Sequence, residues 1–230
     1  RVNHKTKIIK ITKKNYYDRV IFNDGEIKDW TIKFDDYSKE YENNDANLNG
    51  LNGCLNFLDI KFKNVKIIVN GANCEDAVNI IRGSGNISEV NINNSSFDGI
   101  DLDFSKLKIN KVNIKNSGND CIDLSYGNYY IDFVYAKNCG DKIVSVGENS
   151  LLYLKNIIAN NAKYGLVSKD YSEVILNNGK IENADTCLAV YSKKQEFSGG
   201  KIIYNKITCN KFREKIFEEQ GSIIKKEINL

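Results

Sequence analysis

Asp98-Gly-Ile-Asp-Leu (residues 98–102) is followed, 22 residues along the chain, by Asp120-Cys-Ile-Asp-Leu (residues 120–124). Similar five-residue motifs, whose starts lie 21 to 23 residues apart, begin at Gly53, Asp76, Asp141, Tyr164 and Thr186. The third position is always aliphatic and the fifth is apolar or small, a period of two that is typical of a strand with one buried face. A repeat of this length predicts a solenoid in which every coil stacks on the previous one.

The remainder of each coil carries a second alternating stretch, for example from Leu107 to Ile114. Asparagine also returns once in each coil, at Asn94, Asn116, Asn138, Asn160 and Asn183. Asparagine tolerates the left-handed turn conformation, and stacked amides can hydrogen-bond as a ladder. The segments lack both the helical period of an α-solenoid and the helix-bearing consensus of leucine-rich repeats. We therefore predict an all-β fold, a single-stranded right-handed parallel β-helix (solenoid) with coils of about 22 residues, whose hand follows from the parallel crossovers.

A single domain accounts for the whole chain of 230 residues. We expect irregular leading coils and a loop over residues 1–52, regular coils over residues 53–207 and a C-terminal cap over residues 208–230.

The two ends of such a solenoid need covering, because an open end exposes an unpaired sheet edge. In the leading part we expect strands near Lys7–Ile11 and Trp30–Phe34, and a polar loop over Asp35–Asn49. The stretch KFREKIFEEQ (residues 211–220) is expected to form a short amphipathic helix over the last coil. Residues 222–229 are expected to form a final strand.

Charged residues nearly balance, with 33 basic, 30 acidic and a net charge of +3. This balance gives no reason to expect nucleic-acid binding, and no apolar run is long enough for membrane insertion. The chain begins without Met, so we expect it to be part of a larger parent chain. The sequence leaves the compartment open, and only analogy with other β-helices suggests an extracellular or cell-envelope location.

Six cysteines are present, without a CxxC pair and far from the single histidine, His4, so a zinc site is not expected. Cys54, Cys121 and Cys187 share the second position of the motif and lie three coils apart. Positions three coils apart are separated by about 14 Å, whereas bridged Cα atoms lie within about 7 Å. We therefore expect these three cysteines to be free thiols.

Aspartate dominates one outward face of the predicted coils. Its members are Asp76, Asp98, Asp120 and Asp141 at the motif starts, Asp101 and Asp123 at the fourth position and Asp103 at the sixth. Carboxylates on adjacent coils repel and raise one another's pKa, and such strain is common at functional sites. Carboxyl pairs about 5 Å apart serve retaining glycosidases, and pairs about 6.5–9.5 Å apart serve inverting ones. Adjacent and next-nearest coils supply both spacings.

Two other roles for these carboxylates are open. Aspartate often begins strands at turns, where it caps neighbouring backbone N–H groups. Alternatively, Asp98, Asp101, Asp120 and Asp123 would form a calcium site, since hard cations take clustered carboxylates. No other cofactor is expected.

Charged side chains flank the aspartates. Candidate substrate-binding residues are Asp101, Asp103, Asp123, Lys169, Arg82 and Glu75. Lys142 is aligned with a column of otherwise small residues. It would act as a base in uronate lyase or epimerase chemistry if a neighbour lowered its pKa, or it would simply neutralise Asp120 and Asp141.

Four pieces of the chain resemble the successive active-site coils of polygalacturonases and related pectin-lyase-like β-helices. They are Phe97-Asp98-Gly-Ile-Asp101, Asn119-Asp120-Cys-Ile-Asp123, Gly140-Asp141-Lys142 and Gly165-Leu-Val-Ser-Lys169. The resemblance covers residues 95–170 and implies that Asp98 and Asp120 lie where two catalytic aspartates would. Asn119, Asp141 and Val167 stand where the family has Asp, His and Arg, whereas Lys169 keeps its type.

Two functions follow as expectations. The first is a polysaccharide-directed enzyme, a glycoside hydrolase, lyase or epimerase, in which Asp98 and Asp120 are the acid/base pair and Asp141 and Lys142 are their catalytic partners. The second is a non-catalytic carbohydrate-binding, adhesive or structural β-helix module of a larger surface protein. In both cases the expected partner is a polysaccharide or glycan. The fold alone cannot choose between them, because β-helices host unrelated functions.

Overall fold

The computed structural model describes residues 1–38 and 51–227. Within these ranges the chain consists of strands and turns, without a helix. The strands stack in parallel as a β-solenoid of about nine turns, with equivalent positions about 22 residues apart. The predicted all-β architecture of stacked coils is confirmed. The described part of the chain contains no helix that is long and apolar enough to cross a membrane.

The first eight strands are β1 (Val2–Asn3), β2 (Ile8–Lys13), β3 (Val20–Lys28), β4 (Thr31–Asp36), β5 (Gly53–Ala72), β6 (Asp76–Ile81), β7 (Ser84–Ser95) and β8 (Asp98–Asp103). The others are β9 (Lys106–Ser117), β10 (Ile122–Ser125), β11 (Asn128–Cys139), β12 (Lys142–Gly147), β13 (Leu151–Lys169), β14 (Glu173–Tyr191), β15 (Lys201–Asn210), β16 (Glu214–Glu218) and β17 (Ile223–Lys226). The motif strands are β6, β8, β10 and β12, together with the start of β5 and the ends of β13 and β14.

The core is built from columns of side chains that stack from coil to coil. One column, fully buried, contains Leu55, Val78, Ile100, Ile122, Val144, Leu166 and Leu188. Stacked β-branched and leucine side chains bury apolar area at every step, which stabilises each coil on its neighbours.

The structure corrects the predicted register at one coil. The motif predicts that Ile143 stacks on Ile122, but Val144 is the partner of Ile122 and of Leu166. The 22-residue offset is therefore kept from β10 to β12. Since strand side chains alternate, the shift by one residue moves Asp141 out of the aspartate column and brings Lys142 opposite Asp120.

An asparagine ladder forms at the turns, as predicted for Asn94, Asn116 and Asn138. The side-chain amide of each ladder residue donates to the amide oxygen on the preceding coil, over 2.9 Å from Asn116 to Asn94, 2.8 Å from Asn138 to Asn116 and 3.1 Å from Asn161 to Asn138. All four have positive φ, between 59° and 70°. The fourth member is Asn161, not the predicted Asn160.

The ends follow the prediction in part, since strands are present near Lys7–Ile11, near Trp30–Phe34 and within residues 222–229 as expected. Residues 211–220 contain the strand β16, which pairs with β14, so the predicted amphipathic helix is wrong. A further strand follows as β17. At the other end, β1 pairs antiparallel with β2, and β3 stacks on β5. Most of the predicted Asp35–Asn49 loop falls in residues 39–50, outside the described residues.

The cysteines also require a correction. Cys54, Cys121 and Cys187 are not free thiols but are bonded to Cys74, Cys139 and Cys209, respectively. The distance between their coils does prevent a disulfide between any two of Cys54, Cys121 and Cys187, as expected. Each of them instead reaches a cysteine 18 to 22 residues later, about one coil along, with Cα atoms 5.4 to 6.1 Å apart.

We expect mass spectrometry of the unreduced, digested protein to find three cross-linked peptide pairs, Cys54–Cys74, Cys121–Cys139 and Cys187–Cys209. Digestion should be done at acidic pH with free thiols blocked beforehand, since thiolates reshuffle disulfides. A bond between any two of Cys54, Cys121 and Cys187 would contradict the coil register.

Candidate functional site

Six aspartates line one wall of the solenoid, with two buried and four half-buried, and we call this wall the acid face: Asp76 and Asp120 (buried), and Asp98, Asp101, Asp103 and Asp123 (half-buried). The ladder pairs Asp76 with Asp98 and Asp101 with both Asn79 and Asp123. Asp103 lies between Ile81 and Ser125 on the neighbouring coils. The predicted clustering of these aspartates on one wall is therefore present, whereas Asp141 lies one position out of the column.

Asp98 and Asp120 are held by backbone hydrogen bonds. Asp98 Oδ1 accepts from the backbone N–H of Asp120 over 2.8 Å and from Asn119 Nδ2 over 2.7 Å. Asp120 Oδ1 accepts from the backbone N–H of Lys142 over 2.8 Å. Each carboxylate thus caps the beginning of the next coil, which is the structural role that the sequence left open for them.

Lys142 follows Asp120 in this column, and its side chain is buried. Its Nζ lies 3.4 Å from both carboxylate oxygens of Asp120 and forms a short ion pair with Asp141. Burial on its own lowers the pKa of Lys142, but the charges of Asp120 and Asp141 outweigh it and raise that pKa above its ordinary value. Lys142 therefore stays protonated, which suits the neutralising role and not that of a proton-abstracting base.

Burial and mutual repulsion keep protons on the acid face. Burial, followed by the charges of Asp98 and Glu75, raises the pKa of Asp76 to about 8. Burial and the Asp123 charge raise the pKa of Asp103 to about 6. Burial raises the pKa of Asp120 to about 6 despite the charge of Lys142. Near neutral pH the face therefore offers both proton donors and proton acceptors.

Two further aspartates of the acid face, Asp98 and Asp101, also have raised pKa values. Burial, followed by the charge of Asp76, raises the pKa of Asp101, which accepts a hydrogen bond from Asn79 Nδ2 over 3.2 Å. Burial also raises the pKa of Asp98, against the hydrogen bonds that it accepts.

Lys169 approaches the face from the next coils. Its side chain is buried and runs beneath Gly147, where an added Cβ would lie 2.6 Å from Lys169 Cε. Its Nζ donates to Ser145 Oγ over 3.0 Å and lies 4.0 Å from Asp123 Oδ1. Because Gly147 has no side chain, the Lys169 side chain can pass close to it and place its positive charge near Asp123.

Arg82 and Glu75 flank the acid face, since Arg82 follows Ile81, the ladder partner of Asp103, and Glu75 precedes Asp76. Arg82 forms a two-pronged ion pair with Asp59, over 2.7 and 2.8 Å, and both side chains are well exposed. Glu75 is exposed beside Asp76 and acts on the face through its charge.

Aromatic side chains border the acid face at the turn that follows the motif. Phe104 and Tyr126 stack with ring centroids 4.8 Å apart and planes 5° apart, and they are 56% and 41% exposed. Phe197 packs edge-on against Tyr126, with 6.4 Å between the centroids. The sequence signal for the pair was available, since both residues follow the sixth motif position 22 residues apart.

Glu148 completes this border one coil further on. It accepts a hydrogen bond from Ser125 Oγ over 2.6 Å and pairs with Lys194 over 2.8 Å. Burial on its own raises the pKa of Glu148, but these two contacts lower that pKa below its ordinary value.

A tight metal cluster does not form on the acid face. Among the described residues, Asp36, Cys54 and Cys74 are the only group of three or more potential ligands whose donor atoms all lie within 4.8 Å of one another. The four aspartates considered for calcium do not meet this geometry.

Comparison with known proteins found no matching family model, no similar curated protein and no similar solved structure.

Proposed function

We propose that this chain binds a glycan along the acid face and that the Phe104–Tyr126 ring pair is the platform for a sugar ring. The observation that carries the proposal is the exposure of two stacked rings directly beside a wall of carboxyl groups. The exposed parts of a stacked aromatic pair offer a rigid apolar surface against which the C–H groups of a pyranose can pack. The neighbouring carboxyl groups can accept from and donate to sugar hydroxyls.

The charge of the face favours a neutral or amino-sugar polymer. The ionised carboxylates of the acid face would repel the carboxylates of a uronate chain. An ammonium group on the sugar would instead find acceptors there. This chemistry distinguishes the proposal from the acidic substrates of the polygalacturonase-like enzymes that the motifs resemble.

Hydrolysis is a second candidate, and it depends on one observation. The pKa of Asp103 is raised to about 6, which leaves a carboxylic acid able to donate a proton near neutral pH. Asp123, on the next coil, would supply the second carboxyl group. Asp98 and Asp120, which cap backbone N–H groups, would position the coils.

Binding should be measured by calorimetry with oligosaccharides of chitosan, of a neutral β-glucan and of polygalacturonate. We expect the first two to bind more tightly than polygalacturonate. Phe104→Ala or Tyr126→Ala should weaken binding by tenfold or more, which corresponds to about 1.4 kcal/mol. Tyr153→Ala is the matched control, because Tyr153 is 43% exposed and stacks on Tyr130 elsewhere on the solenoid. Equal binding by all three variants, or preference for polygalacturonate, would refute the proposal.

The hydrolytic candidate has its own test. Release of new reducing ends from a bound polysaccharide should stop in Asp103→Asn while binding persists, because the amide keeps the shape and cannot donate the carboxylic proton. If the unmodified protein binds but releases no reducing ends, the non-catalytic binding module is the correct form of the proposal.

A further inference from the structure

The disulfide Cys54–Cys74 lies against a buried ion pair outside the acid face. Lys13 Nζ is 3.3 Å from Cys74 Sγ and 3.6 Å from Cys54 Sγ. It also donates to Asp36 Oδ2 over 3.0 Å, and the side chains of Lys13 and Asp36 are 1% and 0% exposed. The Lys13 side chain is thus held with its ammonium group in contact with both sulfur atoms of the disulfide.

Asp36 is anchored from the other side. Its Oδ1 accepts from the N–H and hydroxyl groups of Ser38, and its Oδ2 accepts from the backbone N–H of Asn73 over 2.9 Å. Burial on its own raises its pKa, but these hydrogen bonds and Lys13 lower that pKa below its ordinary value. Burial lowers the pKa of Lys13, and the hydrogen bond and charge of Asp36 act against that lowering. The Asp36 carboxylate therefore holds the Lys13 ammonium group in place.

The other two disulfides provide an internal comparison. Cys121–Cys139 and Cys187–Cys209 close loops of similar length within the same solenoid. Among the described residues, no side-chain donor contacts their sulfur atoms. The contact with Lys13 therefore distinguishes the first disulfide from the other two.

We propose that Cys54–Cys74 is a thiol–disulfide exchange site in which Lys13 stabilises the Cys74 thiolate. A thiolate of a small-molecule or protein thiol attacks Cys54 Sγ, a mixed disulfide forms there, and Cys74 leaves as a thiolate beside the ammonium group. A second thiolate attacks the external sulfur of the mixed disulfide. The external disulfide is released, and Cys54 leaves as a thiolate that takes a proton from water.

The physical reason is a leaving-group effect. A charge-assisted contact in a site that excludes water stabilises a thiolate more than it stabilises the neutral disulfide. The equilibrium therefore shifts towards the reduced pair, and the leaving group departs more readily. Cys54 and Cys74 are 0% and 2% exposed, so attack requires local opening and the exchange is slower than at a surface disulfide.

Once the disulfide is reduced, the same cluster would have the donor types of a metal site, namely Asp36 and two thiols. The ammonium group disfavours this role, since it lies where a cation would have to approach the two sulfur atoms. Thiol exchange and metal binding therefore give different outcomes in one experiment.

The three disulfides should be compared at equilibrium in mixtures of reduced and oxidised dithiothreitol, approached from both directions. Differential isotopic alkylation and mass spectrometry then give the reduced fraction of each pair. We expect Cys54–Cys74 to be half-reduced at a reduced-to-oxidised ratio at least tenfold lower than the other two, which is about 30 mV for a two-electron couple.

Variants assign that difference to the lysine. In Lys13→Met, the dithiothreitol ratio at which Cys54–Cys74 is half-reduced should lie within about threefold of the ratios for the other two pairs. This corresponds to a difference in reduction potential of about 14 mV. Lys13→Arg should retain the larger gap. The double variant Lys13→Met with Asp36→Asn keeps the site neutral if the single change does not fold. Lys142→Met, at a buried lysine that contacts carboxylates and no sulfur, is the control.

Equal ratios for all three disulfides in the unmodified protein would overturn the proposal, as would a gap that survives both methionine variants at Lys13. Protection of the reduced pair from alkylation by added Zn²⁺ would also overturn it and would assign the cluster to metal binding.

Discussion

The free energy of unfolding should fall as the pH is raised from about 4 to about 8. In the folded state the pKa of Asp76 is raised from 3.8 to about 8, and those of Asp103 and Asp120 are raised to about 6. Between these limits the folded state binds more protons than the unfolded state, so stability decreases with rising pH. A shift of one pKa unit corresponds to about 1.4 kcal/mol, so Asp76 alone accounts for a loss of several kcal/mol. The loss is complete once the pH exceeds the folded-state pKa.

Urea denaturation at a series of pH values measures this slope. Asp76→Asn should flatten the slope between about pH 6 and pH 8, and at pH 8 the variant should be more stable than the unmodified protein, because the amide needs no proton to be buried. Asp185→Asn is the control, since Asp185 is exposed and paired with Arg213. A slope that is flat in the unmodified protein, or unchanged in Asp76→Asn, would show that the acid face does not hold its protons.

Ile122→Ala should lower the free energy of unfolding by about 2–5 kcal/mol, as for other large-to-small changes in a packed core. Ile122 is fully buried and stacks between Ile100 and Val144, so the truncation leaves a cavity inside the column. Neighbouring coils hold fixed spacing, which limits how far the column can collapse into that cavity.

Chemical denaturation under oxidising conditions gives the value for Ile122→Ala. Ile158→Ala is the control, because Ile158 is 44% exposed on the same solenoid and its truncation should change stability by less than about 0.5 kcal/mol. If both variants differ from the unmodified protein by the same small amount, Ile122 is not in the core column.

The fold follows from the repeat because period and alternation are local properties of the sequence. The third position of the motif correctly predicts six of the seven residues in the buried column. The repeated asparagines correctly predict the ladder as far as Asn138. The exception at Ile143 arises because Ile143 and Val144 are both aliphatic and both fully buried. Composition does not distinguish which of two such neighbours stacks on Ile122, whereas the ladder hydrogen bonds do.

Other features depend on contacts between distant residues. The alternation of charge and apolarity in residues 211–220 suits a helix as well as a strand, and pairing with β14 decides for the strand. The disulfides depend on turn geometry that brings Cys74 to Cys54 and not on the column positions. Asp98 and Asp120 are alike in sequence to catalytic aspartates, and only the backbone N–H groups opposite them reveal their capping role.

Titration of the aspartate carboxyl carbons by NMR, with and without a chitosan oligosaccharide, tests the account most directly. We expect carboxyl titrations near pH 6 for Asp103 and near pH 8 for Asp76 in the free protein. The bound sugar should shift the Asp103 and Asp123 resonances together with ring protons of Phe104 and Tyr126. Titration of every acid-face aspartate near pH 4, with no resonance shifted by any of the oligosaccharides, would contradict the claim that this wall is a glycan-binding site.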